Sequence, residues 1–487
     1  MRIEEARADY LNALADRQGW PEMAIGEIAD VNPRVDKASI PDDLPVSFVP
    51  MPAVGAGDGS IRVEETRAAG EVKKGFTAFL EGDVLFAKIT PCMENGKMAV
   101  VPALINGYGF GSTEFHVLRP KQGMDAKYLY YYVSSQTFRS EAERHMTGAV
   151  GQRRVPTTYL KECKIPVAPL DQQKRIVAEI EKQFSRLDQA VANLKRVKAN
   201  LKRYKAAVLK AAVEGRLVET EAELARRAGR SYETGEQLLQ RILETRRSKW
   251  QGKGKYKEPT APDTTDLPEL PEGWVWATAE QLTDENRAIT YGVIKLGEPV
   301  DGGVPVLRSS DVRQLRIDLD DVKRISPEIA EDYRRTFLKG GEVVMTVRGT
   351  LGGIAVVPSQ CNGFNVSREV AMLALVDPKM GQLVALFVAS APLENWLMRR
   401  AKGIAYTGIN IETLKALPIP VPPMAEHSCI VAEVERRLSL LRETEVQVDV
   451  NLQRAERLRQ SILSRAFSGG LIGDRETISA DAAAGAA

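Results

Sequence analysis

The stretch that decides the fold is Ile165–Phe184, with the sequence IPVAPLDQQKRIVAEIEKQF, because the chain carries a second version of it. That second version, IPVPPMAEHSCIVAEVERRL, occupies Ile419–Leu438, and the two align without a gap 254 positions apart. The same register continues downstream and carries Gly215–Val218 onto Gly469–Ile472. A repeat of this length indicates that the chain is built from two copies of one architecture.

The segments upstream of these two stretches also correspond, although less closely. GDVLFAKIT, which starts at Gly82, parallels GEVVMTVRGT from Gly341, and MAVVP from Met98 parallels IAVVP from Ile354. These short β-branched runs are separated by Gly, Pro and Asn, and amphipathic helical patterns such as AKYLYYYVSSQTFRSEAERH accompany them. The pattern predicts a mixed α+β domain in each copy.

Each copy then continues into a long helix. Neither Pro nor Gly occurs between Ile176 and Val213, and Gly215 supplies a stop. Apolar residues recur every seven positions, as in a coiled coil. In the first helix they are Ile180, Leu187, Leu194, Leu201 and Val208, with Phe184, Val191, Val197 and Tyr204 three or four positions away. In the second they are Val434, Leu441, Val448, Ala455 and Ile462, with Leu438, Leu452 and Leu458 alongside.

Each heptad seam requires a partner, and two arrangements are open. The simpler one pairs the two seams antiparallel, because the segment between the helices can return the chain. The other packs each helix on its own domain, which requires a broader apolar stripe than these sequences show. The first helix also carries more Lys and Arg than Asp and Glu, which fits either a solvated face or contact with phosphates or acidic protein.

These patterns divide the chain into six segments. We expect a first recognition-like domain at 1–169, a first long helix at 170–217, a basic helical and Pro/Gly-rich linker at 218–272, a second domain at 273–424, a second long helix at 425–472 and a disordered tail at 473–487. The linker has a basic run from Arg246 to Lys257 around Trp250, which fits either a phosphate-contacting segment or a solvated loop.

The loops between the predicted strands carry the candidate binding residues. ITPCMENGK, TGAVGQRR, LRSSDVR, TVRGTLGG and AYTGIN are rich in Gly together with side chains that hydrogen-bond base edges or phosphates. Each loop taken alone fits an ordinary turn, and the recurrence in both copies favours DNA contact. The candidates are Lys88, Thr90, Asn95, Lys97, Gln152, Arg153 and Arg154 in the first domain, and Arg308, Ser309, Arg348, Thr350, Tyr406 and Asn410 in the second.

Several classes of function are disfavoured by what the sequence lacks. The four cysteines are far apart, and with three histidines they predict no metal site. No GxxxxGK[ST] phosphate loop occurs, and the Pro-Pro at Pro422 lacks the flanking residues that amino-group methyltransferases use. No apolar run reaches membrane-spanning length and the first residues are charged, so we expect a cytoplasmic, non-catalytic protein that does not enter a membrane.

The duplicated arrangement resembles the specificity subunit of type I restriction-modification systems. The resemblance is carried by IPVAPLDQQKRIVAEI and IPVPPMAEHSCIVAEV, by LPEGW at Leu270–Trp274, and by the endings AAVEGRLV and RAFSGGLI. It implies two tandem-repeated mixed α/β target-recognition domains joined by two long antiparallel coiled-coil helices with pseudo-two-fold symmetry. One departure is that His427, in Ala425–Ile430, replaces the glutamine found in the first copy, Asp171–Ile176.

The resemblance also implies the partners. Each domain would read one half of a bipartite site on double-stranded DNA, and the helices would set the spacer and dock two DNA adenine methyltransferase subunits. Motor-nuclease restriction subunits would join them. No cofactor is expected in this chain, and S-adenosylmethionine, ATP and Mg²⁺ are expected in the partner subunits. The alternatives that stay open are a coiled-coil adaptor that binds proteins without reading DNA, and a self-contained nuclease or methylase.

Overall fold

A computed structural model describes residues 19–149, 151–252, 254–265, 267–401 and 408–471. The chain divides into two compact units, one made of Met1–Lys195 with Asp449–Ala487 and the other of Arg196–Val448. Both boundaries fall within long helices, so each unit takes a segment of each helix. The segment 473–487, for which disorder is predicted, lies outside the described residues.

The first unit is built on two four-stranded sheets. Its strands are β1 (Glu22–Ala24), β2 (Ala29–Val31), β3 (Pro45–Val49), β4 (Glu65–Ala68), β5 (Thr77–Leu80), β6 (Val84–Ala87), β7 (Met98–Val100), β8 (Tyr108–Gly111), β9 (Phe115–Pro120) and β10 (Lys164–Pro166). One sheet has the order β2-β9-β6-β7 and is antiparallel throughout. The other has the order β4-β3-β8-β5, with β3 and β8 parallel. All four residues of β6 are buried, which explains its continuous apolar run.

The helices of this unit pack on both sheets and lead into the long helix, and α2 packs on the second sheet. They are α1 (Ile25–Ile28), α2 (Ala69–Val72), α3 (Ala126–Ser134), α4 (Gln136–Arg144), α5 (Thr157–Glu162) and α6 (Leu170–Val213). Asp125 caps α3 and Ser135 caps α4, each by accepting a backbone N–H with its side chain. Tyr128 and Leu129 of α3 share one core with Phe86 of β6.

The second unit repeats the central sheet of the first. Its strands are β11 (Val275–Thr278), β12 (Thr290–Tyr291), β13 (Val304–Leu307), β14 (Val312–Arg313), β15 (Arg316–Ile317), β16 (Arg324–Ile325), β17 (Val343–Thr346), β18 (Ile354–Val356), β19 (Asn365–Val366), β20 (Val370–Leu373) and β21 (Pro418–Val421). The order β12-β20-β17-β18 corresponds to β2-β9-β6-β7, the β11–β21 pair to β1–β10, and the parallel pair β13–β19 to β3–β8. The duplicated α+β architecture is therefore confirmed.

The helices of the second unit include two in the segment predicted to be a linker. They are α7 (Glu221–Ala228), α8 (Gly235–Ser248), α9 (Ala279–Leu282), α10 (Pro327–Asp332), α11 (Gly381–Val388), α12 (Ala391–Arg400), α13 (Ile411–Lys415) and α14 (Met424–Phe467). Leu238, Leu239 and Ile242 of α8 lie in the core of this unit. Arg246, from the basic run, is 3% exposed and donates to the Thr283 carbonyl and to Glu285, so it neither tracks a backbone phosphate nor solvates a loop.

Both long helices are 44 residues long, and each unit pairs the beginning of one with the end of the other. In the first unit, Ile176, Ile180 and Phe184 of α6 share a core with Ile462, Leu463 and Ala466 of α14. In the second, Ile430, Val434 and Leu438 of α14 share a core with Val208, Leu209 and Ala212 of α6. The helix segments in each unit are therefore antiparallel, as the heptad pattern predicts.

The prediction for the flanking positions of the seam is wrong at three residues. Val197, Tyr204 and Leu458 are 41%, 48% and 49% exposed, although they were expected to fill the seam. Two paired helices bury a narrow stripe at a and d positions, and residues beside that stripe remain in solvent. The helix stops behave as expected, because Gly215 and Gly469 adopt positive φ directly after the helices.

A tryptophan fixes the start of each long helix in the same way. The Trp20 Nε1–H donates to Gln172 Oε1 at 3.1 Å, and the Trp274 Nε1–H donates to Glu426 Oε2 at 3.0 Å. Glu426 also accepts from the backbone N–H of Glu221 at 2.8 Å, and burial raises the pKa of Glu426. In the second copy the Glu426 carboxylate thus stands in place of the Gln172 amide. It accepts one more hydrogen bond, from the Glu221 N–H.

The next position explains the departure at His427. Gln173 is fully buried; its amide donates to the Gly123 and Ala168 carbonyls, and its oxygen accepts from the Asp125 N–H. His427 keeps one of these bonds, from Nε2 to the Pro422 carbonyl at 3.3 Å, and its Nδ1 has no partner among the described residues. The change therefore keeps the helix start and loses two hydrogen bonds.

The buried ring makes the stability of the chain depend on pH. Burial lowers the pKa of His427 from its usual 6.5, although the hydrogen bond to the Pro422 carbonyl and the charge of Asp377 oppose this shift. Below about pH 6.5 the unfolded chain therefore takes a proton that the folded chain does not. We expect stability to fall as the pH drops below 6.5, by up to about 1.4 kcal/mol per pH unit from this group. His427→Gln, which restores the residue of the first copy, should flatten that decline. Thermal midpoints of the full chain from pH 7.5 to 5 test this, and parallel curves for the two proteins would contradict it.

Candidate DNA interface

The candidate residues of the first unit lie on two loops at one end of its central sheet. One loop follows β6. The other is a hairpin of which the structure describes 147–149 and 151–154, and its end residues Thr147 and Arg154 are joined by backbone hydrogen bonds of 2.8 and 3.0 Å. The hairpin is tied to the first loop because Val155 N–H donates to the Lys88 carbonyl and Thr90 N–H to the Arg153 carbonyl. Residues far apart in sequence are thereby brought to one edge.

The two arginines of the hairpin are held by carboxylates. Arg154 pairs with Glu114 through two hydrogen bonds, Nε–Oε2 at 2.9 Å and Nη2–Oε1 at 2.8 Å. This pairing lowers the pKa of Glu114. Arg153 Nη2 lies 3.3 Å from Glu143 and 3.9 Å from Glu94. Both arginine side chains are about two-fifths exposed, so they are oriented by acids and still reach solvent.

The other candidates of this unit fall into two groups. Lys97 is occupied by the fold, because its ammonium group donates to the Met51 and Val54 carbonyls at 3.2 and 3.0 Å. Thr90 donates to Glu94 at 3.0 Å. Asn95 and Gln152 are exposed, and Lys88 is half-buried. The structure therefore brings these residues together, and it gives Lys97 an internal role.

A buried histidine that sequence reasoning missed anchors the hairpin. His116 is 3% exposed, and burial lowers its pKa, so the ring is neutral. Its Nε2 lies 2.8 Å from the Val155 carbonyl, which can only accept, and its Nδ1 lies 3.0 Å from Asn32 Nδ2. Nε2 therefore carries the proton and donates it to the backbone next to Arg154.

The second unit places its candidates at the equivalent edge. The Val347 N–H donates to the Glu369 carbonyl, which corresponds to the bond from the Lys88 N–H to the Glu114 carbonyl. The Ile409 N–H donates to the Val347 carbonyl, which corresponds to the bond from the Val155 N–H to the Lys88 carbonyl. Ser309 Oγ–H donates to the Glu369 carboxylate at 2.6 Å. Sequence reasoning did not single out Glu114 or Glu369, the acidic residues of the two sites. Their sequence signal is the recurrence of Ser112-x-Glu114 as Ser367-x-Glu369, 255 positions later.

The remaining candidates of this unit have mixed environments. Arg308 is held by Asp311 through two hydrogen bonds of 3.1 Å. Asn410 caps α13 by accepting from the Thr413 N–H at 2.7 Å. Arg348 and Thr350 are exposed, and the Arg348 guanidinium lies 5.4 Å from the Tyr291 ring centre. Tyr406 lies outside the described residues.

The part of the chain that the structure describes has neither a candidate metal site nor a candidate membrane span. No group of His, Cys, Asp or Glu there could hold a metal ion. No helix in that part of the chain is long and apolar enough to cross a membrane.

Several known proteins are similar to this chain in sequence or in fold. Residues 17–203 match the family described as the type I restriction modification DNA specificity domain. The Escherichia coli type I restriction enzyme EcoEI specificity subunit is 26% identical over 470 residues, which cover 86% of this chain and 77% of that protein. The Escherichia coli EcoAI specificity subunit is 28% identical over 366 residues, which cover 68% of this chain and 61% of that protein.

Over most of its length the chain is similar to specificity subunits of type I restriction enzymes. A solved chain from work on complex assembly and conformational transition of the type I R-M system shares the fold, with a TM-score of 0.67 at 18% identity over 93% of this chain and 98% of that one. The residues at the edge of each central sheet are the candidates for contact with a ligand of this framework. Nothing in these relatives supports the adaptor alternative.

Proposed function

We propose that this chain is the specificity subunit of a type I restriction-modification system and reads a bipartite DNA site, with the domain at 1–169 contacting one half and the domain at 273–424 the other. The observation that carries the proposal is the equivalent loop framework at the same edge of β6/β9 and β17/β20 with different side chains on it. Arg154 faces Glu114 in the first domain, whereas Ser309 faces Glu369 in the second. Different donors on one framework suit two different half-sites.

The long helices, 170–217 and 425–472, are proposed to set the spacer between half-sites and to dock two adenine methyltransferase subunits. An α-helix of 44 residues spans about 66 Å, which makes a rigid spacer of the right order for a DNA site of more than one turn. In the second unit these helices also leave Leu440 and Val446 54% and 59% exposed, which supports a role for their outer faces in binding a partner.

The chemistry is proposed to reside in the partners. Methyl transfer from S-adenosylmethionine would belong to the methyltransferase subunits, and ATP- and Mg²⁺-dependent cleavage to motor-nuclease restriction subunits. Because the proposed ligand is DNA, the proposed location of the chain is the cytoplasm. On this proposal the chain supplies sequence selection and assembly, and it performs no covalent step.

The spacer role predicts a change in the preferred site when both helices are lengthened. Seven residues inserted after Leu194 and after Val448 keep each heptad in register and add about 10 Å at 1.5 Å per residue. At about 3.4 Å per base pair, the preferred spacer should lengthen by up to about three base pairs. Selection from a library of sites with variable spacers, before and after insertion, measures this. An unchanged spacer with intact half-sites would assign the helices to assembly only.

The non-catalytic role predicts that the purified chain transfers no methyl group. Incubation with labelled S-adenosylmethionine and DNA should leave the DNA unlabelled, and addition of methyltransferase subunits should restore labelling. The complex with its subunits is the matched control, because it shows that the chain is folded and binds DNA. Labelling by the chain alone would show that it carries its own chemistry.

A further inference from the structure

Two arginine–carboxylate pairs mark the opposite ends of the same two strands in the first unit. Asp83 precedes β6 and pairs with Arg119 of β9 through two hydrogen bonds of 2.8 Å. Glu114 precedes β9 and pairs with Arg154 through bonds of 2.8 and 2.9 Å. The Asp83 side chain is 1% exposed, whereas that of Glu114 is 26% exposed. The two pairs share their chemistry and differ in exposure.

The second unit has an arginine–carboxylate pair at the first place and a different partner for the carboxylate at the other. Glu342, at the position of Asp83, again pairs with an arginine, Arg287, at 2.6 Å. Glu369, at the position of Glu114, has Ser309 as its side-chain partner, and the residue at the position of Arg154 is Gly408. One carboxylate therefore pairs with an arginine in both copies, although Arg119 lies in β9 and Arg287 lies just before β12. The other keeps its place while its partner differs between the domains.

The hydrogen bonds of Arg154 leave part of its guanidinium available. A guanidinium group has five N–H donors. Among the described residues, Glu114 accepts from Nε and Nη2, and the Gln152 carbonyl accepts from Nη1 at 3.0 Å. Two N–H groups, one on each terminal nitrogen, are left without a partner there. Two such donors can pair with O6 and N7 of guanine, the most common specific contact of arginine.

The backbone that carries Arg154 is held on both sides. Its own N–H and carbonyl pair with Thr147, and the following carbonyl, of Val155, accepts from the buried neutral ring of His116. A flexible arginine loses side-chain entropy when it orders on a base. A side chain ordered before binding avoids most of that cost.

A carboxylate at a surface that binds DNA is unfavourable unless a cation accompanies it, because it repels the phosphates. Glu114 is compensated by Arg154, and this pairing is what lowers its pKa. We infer that Glu114 is a positioning residue for DNA reading: it holds Arg154 so that the two remaining N–H groups meet the edge of one guanine in the first half-site. This inference rests on the proposed function, because it assumes that the Arg154 hairpin faces DNA.

Three variants of the full chain, each assembled with the methyltransferase subunits, test the inference by methylation of a library of randomised bipartite sites. Arg154→Ala should reduce the preference for guanine at one position of one half-site by about tenfold or more. Glu114→Gln keeps the shape and loses the charge and one acceptor, and it should reduce the same preference several-fold. In the double variant, Glu114→Gln should add nothing to Arg154→Ala.

The matched control is Asp83→Asn, the same chemical change at the other end of the same strands. It should lower the thermal midpoint and leave every base preference unchanged. The inference is overturned if Glu114→Gln behaves like Asp83→Asn, or if its effect persists in the Arg154→Ala background. It is also overturned if Arg154→Ala leaves the half-site intact. A wild-type complex with no bipartite preference at all would instead reject the proposed function.

Discussion

The antiparallel pairing of the two long helices is the constraint on which the rest of the structure depends. In each unit the start of one helix and the end of the other contribute to the core beneath the central sheet. Burial of one Ile, Leu or Val side chain contributes about 1.5–3 kcal/mol. Six such residues of the helices, Ile176, Ile180, Val208, Leu209, Ile462 and Leu463, are each at most 6% exposed. Neither unit can therefore complete its core without both helices.

This constraint divides each recognition domain into a constant and a variable end. The tryptophan bonds at Gln172 and Glu426, and the buried acids Asp83 and Glu342, repeat between the copies and fix the sheet and helix start. At the opposite edge the backbone bonds and the glutamates Glu114 and Glu369 repeat, whereas the side-chain partners of these glutamates differ. A fold organised in this way can change which bases it reads through its loop side chains, while the helical framework stays the same.

Much of this architecture is predictable from the sequence because it depends on periodic patterns. The gapless repeat predicts the two copies, and the heptads with their glycine stops predict helices that the structure ends at Val213 and Phe467. The loop candidates are less predictable, because a basic or polar residue type does not reveal its partners. Lys97 binds two backbone carbonyls, and Asn410 caps a helix. Arg154 meets an acid 40 residues away in sequence. Such pairings arise only in the folded chain.

The central claim is that two domains read DNA independently on one helical framework. Exchange of residues 20–165 for the corresponding segment of another specificity subunit tests it most directly, because this replaces one set of loops and keeps both long helices. Sequencing of the methylated sites should show one half-site changed to that of the donor, with the other half-site and the spacer unchanged. A simultaneous change of both half-sites would contradict the account.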